Sequence, residues 1–171
     1  MNADLYLRLV EKTRQITRHL PSARLLSLPT YLCATVYLLF GLSLFIHRDP
    51  RLLPYLLIPL ICFLTVTVLR KCINRTRPYD RYSYVPIGRY TPNKGKSMPS
   101  RHAASAVAIL MALLRLSLPV PLSLCLCLLT LLICFLRVAS GQHYPEDVLA
   151  GIGLSVSLSL LLSFLFSSFS H

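Results

Sequence analysis

The residues of this chain best suited to chemistry are two histidines, an aspartate and a set of arginines, gathered in three short stretches. These are Arg70-Lys71-Cys72-Ile73-Asn74-Arg75-Thr76-Arg77-Pro78, then Pro99-Ser100-Arg101-His102, and finally Arg137 with His143 six residues on and Asp147 four beyond that. In the third stretch Pro145 suits the first turn of a helix, so His143 is expected just before a helix and Asp147 within its first turns. The carboxylate can then reach back to one imidazole nitrogen, fix the tautomer, leave the other nitrogen free to attack, and stabilise the cation that follows. A histidine and an aspartate at this spacing can equally make a simple helix cap, so the pair gains meaning only from its neighbours.

Those neighbours suit an anion. Pro99 is expected to open a helix with Ser100, Arg101 and His102 in its first turn, where unpaired N–H groups, the helix dipole and the Ser100 hydroxyl favour negative charge. His102 is then placed to protonate a departing oxygen as a general acid. Arg70 and Arg77 are seven residues apart, about two helical turns, and are expected to share one face of a helix that stops before Pro78. With Arg137 they form a guanidinium cage suited to bidentate bonding of phosphate oxygens. Any one of these arginines alone would read as a side chain snorkelling to a membrane interface.

The elements that must carry these stretches are apolar. The chain has 171 residues, 54% of them hydrophobic and only six acidic, a length that suits one domain. Apolar runs near residues 30–47, 52–69, 99–117, 119–136 and 147–168 match the roughly 17–25 residues a membrane span needs, although the apolar core of the third, Ala103–Leu114, is short. The expected fold is an all-α integral membrane bundle of about five transmembrane helices. Buried helices of a soluble protein are the alternative, but the chain has too little polar surface to cover one. Arg8, Lys12, Arg14 and Arg18 interrupt any apolar core before residue 28, so this segment does not resemble a cleavable signal. Leu5, Leu7, Leu9, Val10, Ile16 and Leu20 alternate with those charges as in an amphipathic helix on the membrane surface; a solvated tail is the alternative. The expected division is a basic amphipathic segment, 1–28, and a transmembrane domain, 29–171.

The net charge of +12 is unevenly placed. Five basic residues precede the first span and nine lie between Arg70 and Arg101, whereas the opposite connections hold Arg48, Arg51 and Arg115. The basic segments therefore fall on one face, which the positive-inside rule makes cytoplasmic. Attraction to anionic headgroups explains this excess better than nucleic acid does. The six cysteines show no metal-ligand spacing, and most sit in apolar runs, where cysteine behaves as a small hydrophobe. The loop from Pro78 to Met98 interleaves Tyr79, Tyr82, Tyr84 and Tyr90 with Arg81, Arg89, Lys94 and Lys96, a mixture expected to anchor in the headgroup layer. Ser155, Ser157, Ser159 and Ser163, and the alanines from 103 to 108, suit close helix packing.

Taken together the three stretches resemble the type 2 phosphatidic acid phosphatase (PAP2) superfamily, which also includes vanadium-dependent haloperoxidases and bacterial acid phosphatases. That family's pattern is Lys, six residues, Arg-Pro; then Pro-Ser-Gly-His; then Ser-Arg, five residues, His, three residues, Asp. The order and spacings match over roughly residues 65–155, with Arg70 at the lysine position beside Lys71, Arg101 at the glycine and Leu136 at the serine. The resemblance implies that His143 attacks phosphorus, Asp147 orients it, and His102 protonates the leaving group and then activates water. It implies that Arg70, Arg77, Arg137, Ser100 and Arg101 hold the phosphate oxygens, with no cofactor and no metal. A membrane-embedded member would act on a lipid phosphate monoester or diphosphate: phosphatidic acid, phosphatidylglycerol phosphate or polyprenyl diphosphate. The implied setting is a bacterial plasma membrane, with the site on the face of the N-terminus. A vanadium haloperoxidase is disfavoured because those relatives are generally soluble and larger. A catalytically silent lipid-binding or lipid-moving protein is disfavoured by intact His102, His143 and Asp147.

Overall fold

The computed structural model describes residues 3–17, 25–88, 90–92 and 95–168. Arg18 and Leu20 of the amphipathic pattern, and Arg89 and Lys94 of the basic loop, lie outside the described residues. The fold is all-α, in the order α1 (Ala3–Thr17), α2 (Leu28–Ile46), α3 (Leu52–Ile73), α4 (Pro78–Arg81), α5 (Arg101–Leu114), α6 (Val120–Ala139) and α7 (Pro145–Ser168), with a short 3₁₀ turn, Leu25–Ser27, before α2. Helices α2, α3, α6 and α7 are long and apolar enough to cross a membrane. Leucines such as Leu38, Leu39, Leu53, Leu124, Leu128, Leu131 and Leu161 stay exposed on them. An outer surface this apolar fits a lipid solvent and not water.

The third expected span is shorter than 99–117. Helix α5 has 14 residues, about 21 Å at 1.5 Å per residue, against a hydrocarbon layer of about 30 Å. It is the central helix, packed against α2, α3, α6 and α7. Ala103, Ala104, Ala106, Ala108 and Ala112 are all buried, because small side chains let the surrounding backbones approach. Helix α7 approaches it closely. A Cβ on Gly151 would lie 2.8 Å from the Ser100 carbonyl oxygen, so only glycine lets the start of α7 lie against the start of α5. One turn further on, the Ser155 hydroxyl donates to the Ala104 carbonyl at 2.9 Å, and Ser159 meets the Cys62 sulfur at 3.8 Å. Ser157 faces outward.

Antiparallel neighbours bring the ends of α3 and α6 together with the beginnings of α2, α5 and α7, and two of these ends differ from expectation. Helix α3 stops at Ile73, where Asn74 adopts the left-handed conformation (φ 43°) and donates its N–H to the Arg70 carbonyl. Asparagine tolerates that conformation and so terminates the helix. Arg77 follows in extended backbone as the cap of the one-turn helix α4. Arg70 and Arg77 therefore share no helical face. Likewise Pro99 does not open α5: Ser100 is the N-cap and Arg101 the first helical residue.

Two interfacial readings also change. Tyr79 is a core residue, 1% exposed, and donates its hydroxyl to the Thr91 carbonyl. Tyr82 packs against Tyr6 and Tyr144. Tyr79 turns toward Tyr90 and the Thr91 carbonyl of its own loop, whereas Tyr82 is covered by α1, whose Tyr6 and Val10 are buried one turn apart while Leu5 and Ile16 stay outside.

Candidate active site

A cavity of about 780 Å³ opens where the helix ends meet. Among the described residues, Arg70, Lys71, Arg77, Lys96, Arg101 and Arg137 line it together with His102, Thr30 and Gln142, and no carboxylate does. Six cations without a counter-charge around one concave space favour a multiply charged anion. The Arg70 side chain, 5% exposed, reaches from the last turn of α3 to the loop before α5 and donates to the carbonyls of Lys96 and Pro99. Lys71 beside it is exposed, so Arg70 is the cation built into the wall. Arg77 donates through Nε to the Gly95 carbonyl at 3.2 Å. Arg137, in the last turn of α6, donates to Gln142 Oε1 at 3.3 Å and Thr30 Oγ1 at 3.2 Å, and its buried Nε has no partner. Each guanidinium carries five donors in a fixed fork, so these tethers orient the groups and leave N–H bonds for a ligand.

His143 and Asp147 stand behind this wall. Gly141 turns the chain after α6 with φ +75°, and the His143 N–H donates to the Arg137 carbonyl. The His143 ring is 1% exposed, and its Nδ1 lies 3.7 Å from Asp147 Oδ2. That distance is an electrostatic contact, longer than a hydrogen bond, but it assigns Nδ1 to the acid and leaves Nε2 as the nitrogen available for attack. Burial pushes the His143 imidazole down to about 4; the Asp147 carboxylate opposes this shift, while Arg77 and Arg70 add to it. The ring is thus neutral, and nucleophilic, at pH 7. Arg70 and Arg77 line the cavity and also act on this imidazole, so the ring stands behind that guanidinium layer. His102 is exposed to the cavity, with the guanidiniums of Arg137, Arg101 and Arg70 as its charged neighbours.

Asp147 is fully buried and held by more than its sequence neighbours. Arg75 Nη1 donates to Oδ1 at 2.9 Å, while Oδ2 accepts from Ser97 Oγ and from the Tyr144 N–H at 3.1 Å. Arg75 also pairs with Glu146 at 2.7 Å and lies 4.4 Å above the Tyr144 ring. Neither Arg75 nor Ser97 stands out in the motif spacing. The usable signal is chemical: an acid buried in an apolar bundle needs a cation or donors beside it, and Arg75 is the basic residue between Arg70 and Arg77 without another task. Arg75→Ala strips Asp147 of its only ion-pair partner among the described residues. Because Arg75 is 29% exposed, the expected loss is about 1–3 kcal/mol, below that of a fully buried pair. Thermal unfolding in detergent measures it, and Arg75→Lys is expected to recover part.

The remaining predicted residues divide. Ser100 is fully buried, its N–H donates to the Asp147 carbonyl at 2.8 Å, and its Oγ is without a partner. Its amide is therefore already engaged, and only the hydroxyl remains for an anion. The Arg101 side chain reaches the cavity rim over the Phe63 ring.

The model of the PAP2 superfamily matches residues 51–169. The chain belongs to the PAP2 superfamily. Two solved PAP2-fold structures are similar along nearly the whole chain. One is the transmembrane PAP2 type phosphatidylglycerolphosphate phosphatase from Bacillus subtilis, with a TM-score of 0.74 and 20% identity over 96% of this chain and 86% of that one. The other is Aquifex aeolicus LpxE, with a TM-score of 0.66 and 23% identity over 89% of this chain and 92% of that one. No curated protein sequence matches.

Proposed function

We propose that this PAP2 protein hydrolyses a lipid phosphate monoester or diphosphate through a phosphohistidine intermediate, without a metal. The observation that carries the reading is a buried His143 beside Asp147, behind a cavity lined among the described residues by six cations and no acid. His143 Nε2 attacks phosphorus, and the bond from phosphorus to the leaving oxygen breaks. His102 protonates that oxygen as it departs. Asp147 then faces an imidazolium in place of a neutral ring. In the second step His102 takes a proton from water, which attacks the phosphohistidine and releases inorganic phosphate and His143. Arg70, Arg77, Arg137, Arg101 and the Ser100 hydroxyl hold the equatorial oxygens, so fixed cations do the electrostatic work a metal does elsewhere.

A lipid substrate is supported by what adjoins the cavity. A second, apolar space of about 380 Å³, lined by Cys33, Ala34, Phe63, Ala106, Ile109 and Ile133, shares Thr30, Arg101 and His102 with the cationic one. A phosphorylated headgroup and the start of its hydrocarbon chain suit the two spaces. Phosphatidic acid, phosphatidylglycerol phosphate and polyprenyl diphosphate all meet this description. The charge bias supports a cytoplasmic site in a bacterial plasma membrane, in a transmembrane domain of residues 29–171 with helix α1 of the basic segment 1–28 alongside. Phosphate release by the full chain in detergent, measured across those lipids, tests the reading. At least one lipid is expected to turn over, with vanadate inhibiting and EDTA not. Release from none of them overturns the function, and loss of release in EDTA overturns the metal-free chemistry.

A further inference from the structure

Helix α1 reaches into the site through one side chain. Tyr6 is 2% exposed, and its hydroxyl lies 3.3 Å from the His143 carbonyl oxygen and 3.1 Å from the Tyr84 hydroxyl. Tyr84 in turn donates to the Gly141 carbonyl at 2.7 Å. Tyr84 has only one proton, so Tyr6 is the donor where the two hydroxyls meet, sharing its own proton between Tyr84 and the His143 carbonyl. Burial pushes the Tyr6 phenol above its ordinary range and that of Tyr84 up to about 12, so both stay protonated donors at neutral pH. The two phenols thus grip two carbonyls of the short loop between α6 and α7, and both come from outside that hairpin. The loop is shaped for them, since a Cβ on Gly141 would lie 2.8 Å from the Tyr84 ring. The Tyr6 ring also packs 5.9 Å from that of Tyr144, on which Arg75 rests while it holds Asp147.

We propose that α1 belongs to the catalytic apparatus: Tyr6, with Tyr84, is a positioning residue that clamps the His143 backbone and so aims its imidazole at the cavity. The inference rests on the phosphatase reading for its effect on rate, but the clamp itself is a property of the resting protein. Its logic is geometric. The His143–Asp147 contact at 3.7 Å is not a closed hydrogen bond, so the acid alone does not fix the ring, and the backbone must. A displacement of about 1 Å at a reacting group can cost on the order of 100-fold in rate.

Tyr6→Phe keeps the ring packing and removes only the hydroxyl. It is expected to lower kcat by about 10- to 100-fold, leave KM within about twofold, and hold the unfolding midpoint within about 3 °C. Because the two phenols share one network, Tyr6→Phe with Tyr84→Phe is expected to lose less than the sum of the single losses. A readout independent of turnover accompanies these. In the full chain labelled at histidine in detergent micelles, the His143 imidazole signal, assigned by its disappearance in His143→Ala, is expected to shift in Tyr6→Phe. An unshifted His143 signal overturns the proposal, whether kcat stays at the wild-type value or falls together with the unfolding midpoint. If the wild type releases no phosphate from any lipid, the phosphatase reading fails by itself, and the His143 signal still decides the clamp.

Discussion

Replacing His143 with alanine is expected to lower phosphate release by on the order of 10⁴-fold or more, because the variant lacks the nucleophile of the covalent step. The bundle should survive the change. The ring leaves a cavity costing about 1–3 kcal/mol, yet Asp147 keeps Arg75, Ser97 and the Tyr144 N–H, so no buried charge is stranded. Retained helical circular dichroism and detergent-phase unfolding, measured beside phosphate release, separate lost chemistry from lost fold. His102 remains in the variant, still able to protonate a leaving group, but with nothing to attack phosphorus except water.

Asp147→Asn is expected to be nearly as damaging, with kcat lower by about 10³-fold. The substitution keeps the shape but removes the charge that stabilises the imidazolium, and it can present an amide N–H to Nδ1, favouring the wrong tautomer for attack by Nε2. It also changes what Arg75 meets. A guanidinium that bridged Glu146 and Asp147 keeps only the exposed Glu146 as an ionic partner, so stability falls as well, by about 1–3 kcal/mol. Steady-state kinetics give the first effect and thermal unfolding the second. Asp147→Ala, which cannot offer an N–H, distinguishes a tautomer fault from simple loss of charge: if the wrong tautomer dominates, alanine is the less damaging substitution.

Much of this was legible in the sequence because membrane helices and terminal turns write themselves in residue type. Apolar length gave five runs, four of them helices long enough to cross a membrane and the third the 14-residue α5, and Pro145 opens α7 where its preference for a first helical turn says it should. Where expectation failed, a longer-range constraint decided. Periodicity carried α3 on to Arg77, but Asn74 ends the helix three residues sooner, and Arg77 arrives at the cavity through extended backbone. The tyrosines of the 78–98 loop have the composition of interfacial anchors, yet Tyr79 is core and Tyr6 of α1 packs on Tyr82 and meets Tyr84, while Tyr90 stays exposed. Arg75 and Ser97 were invisible to motif spacing for a related reason. Their task is to satisfy a buried carboxylate 72 and 50 residues away, and no local pattern encodes a partner at that distance.

The central claim is that His143 becomes covalently phosphorylated. Rapid quenching of the full chain with a radiolabelled lipid phosphate, into base that preserves phosphohistidine, followed by peptide mapping, tests it most directly. The label is expected on the peptide bearing His143 and is expected to vanish in His143→Ala. Phosphate release with no protein-bound label, or label mapped to Ser100 or His102, would contradict it.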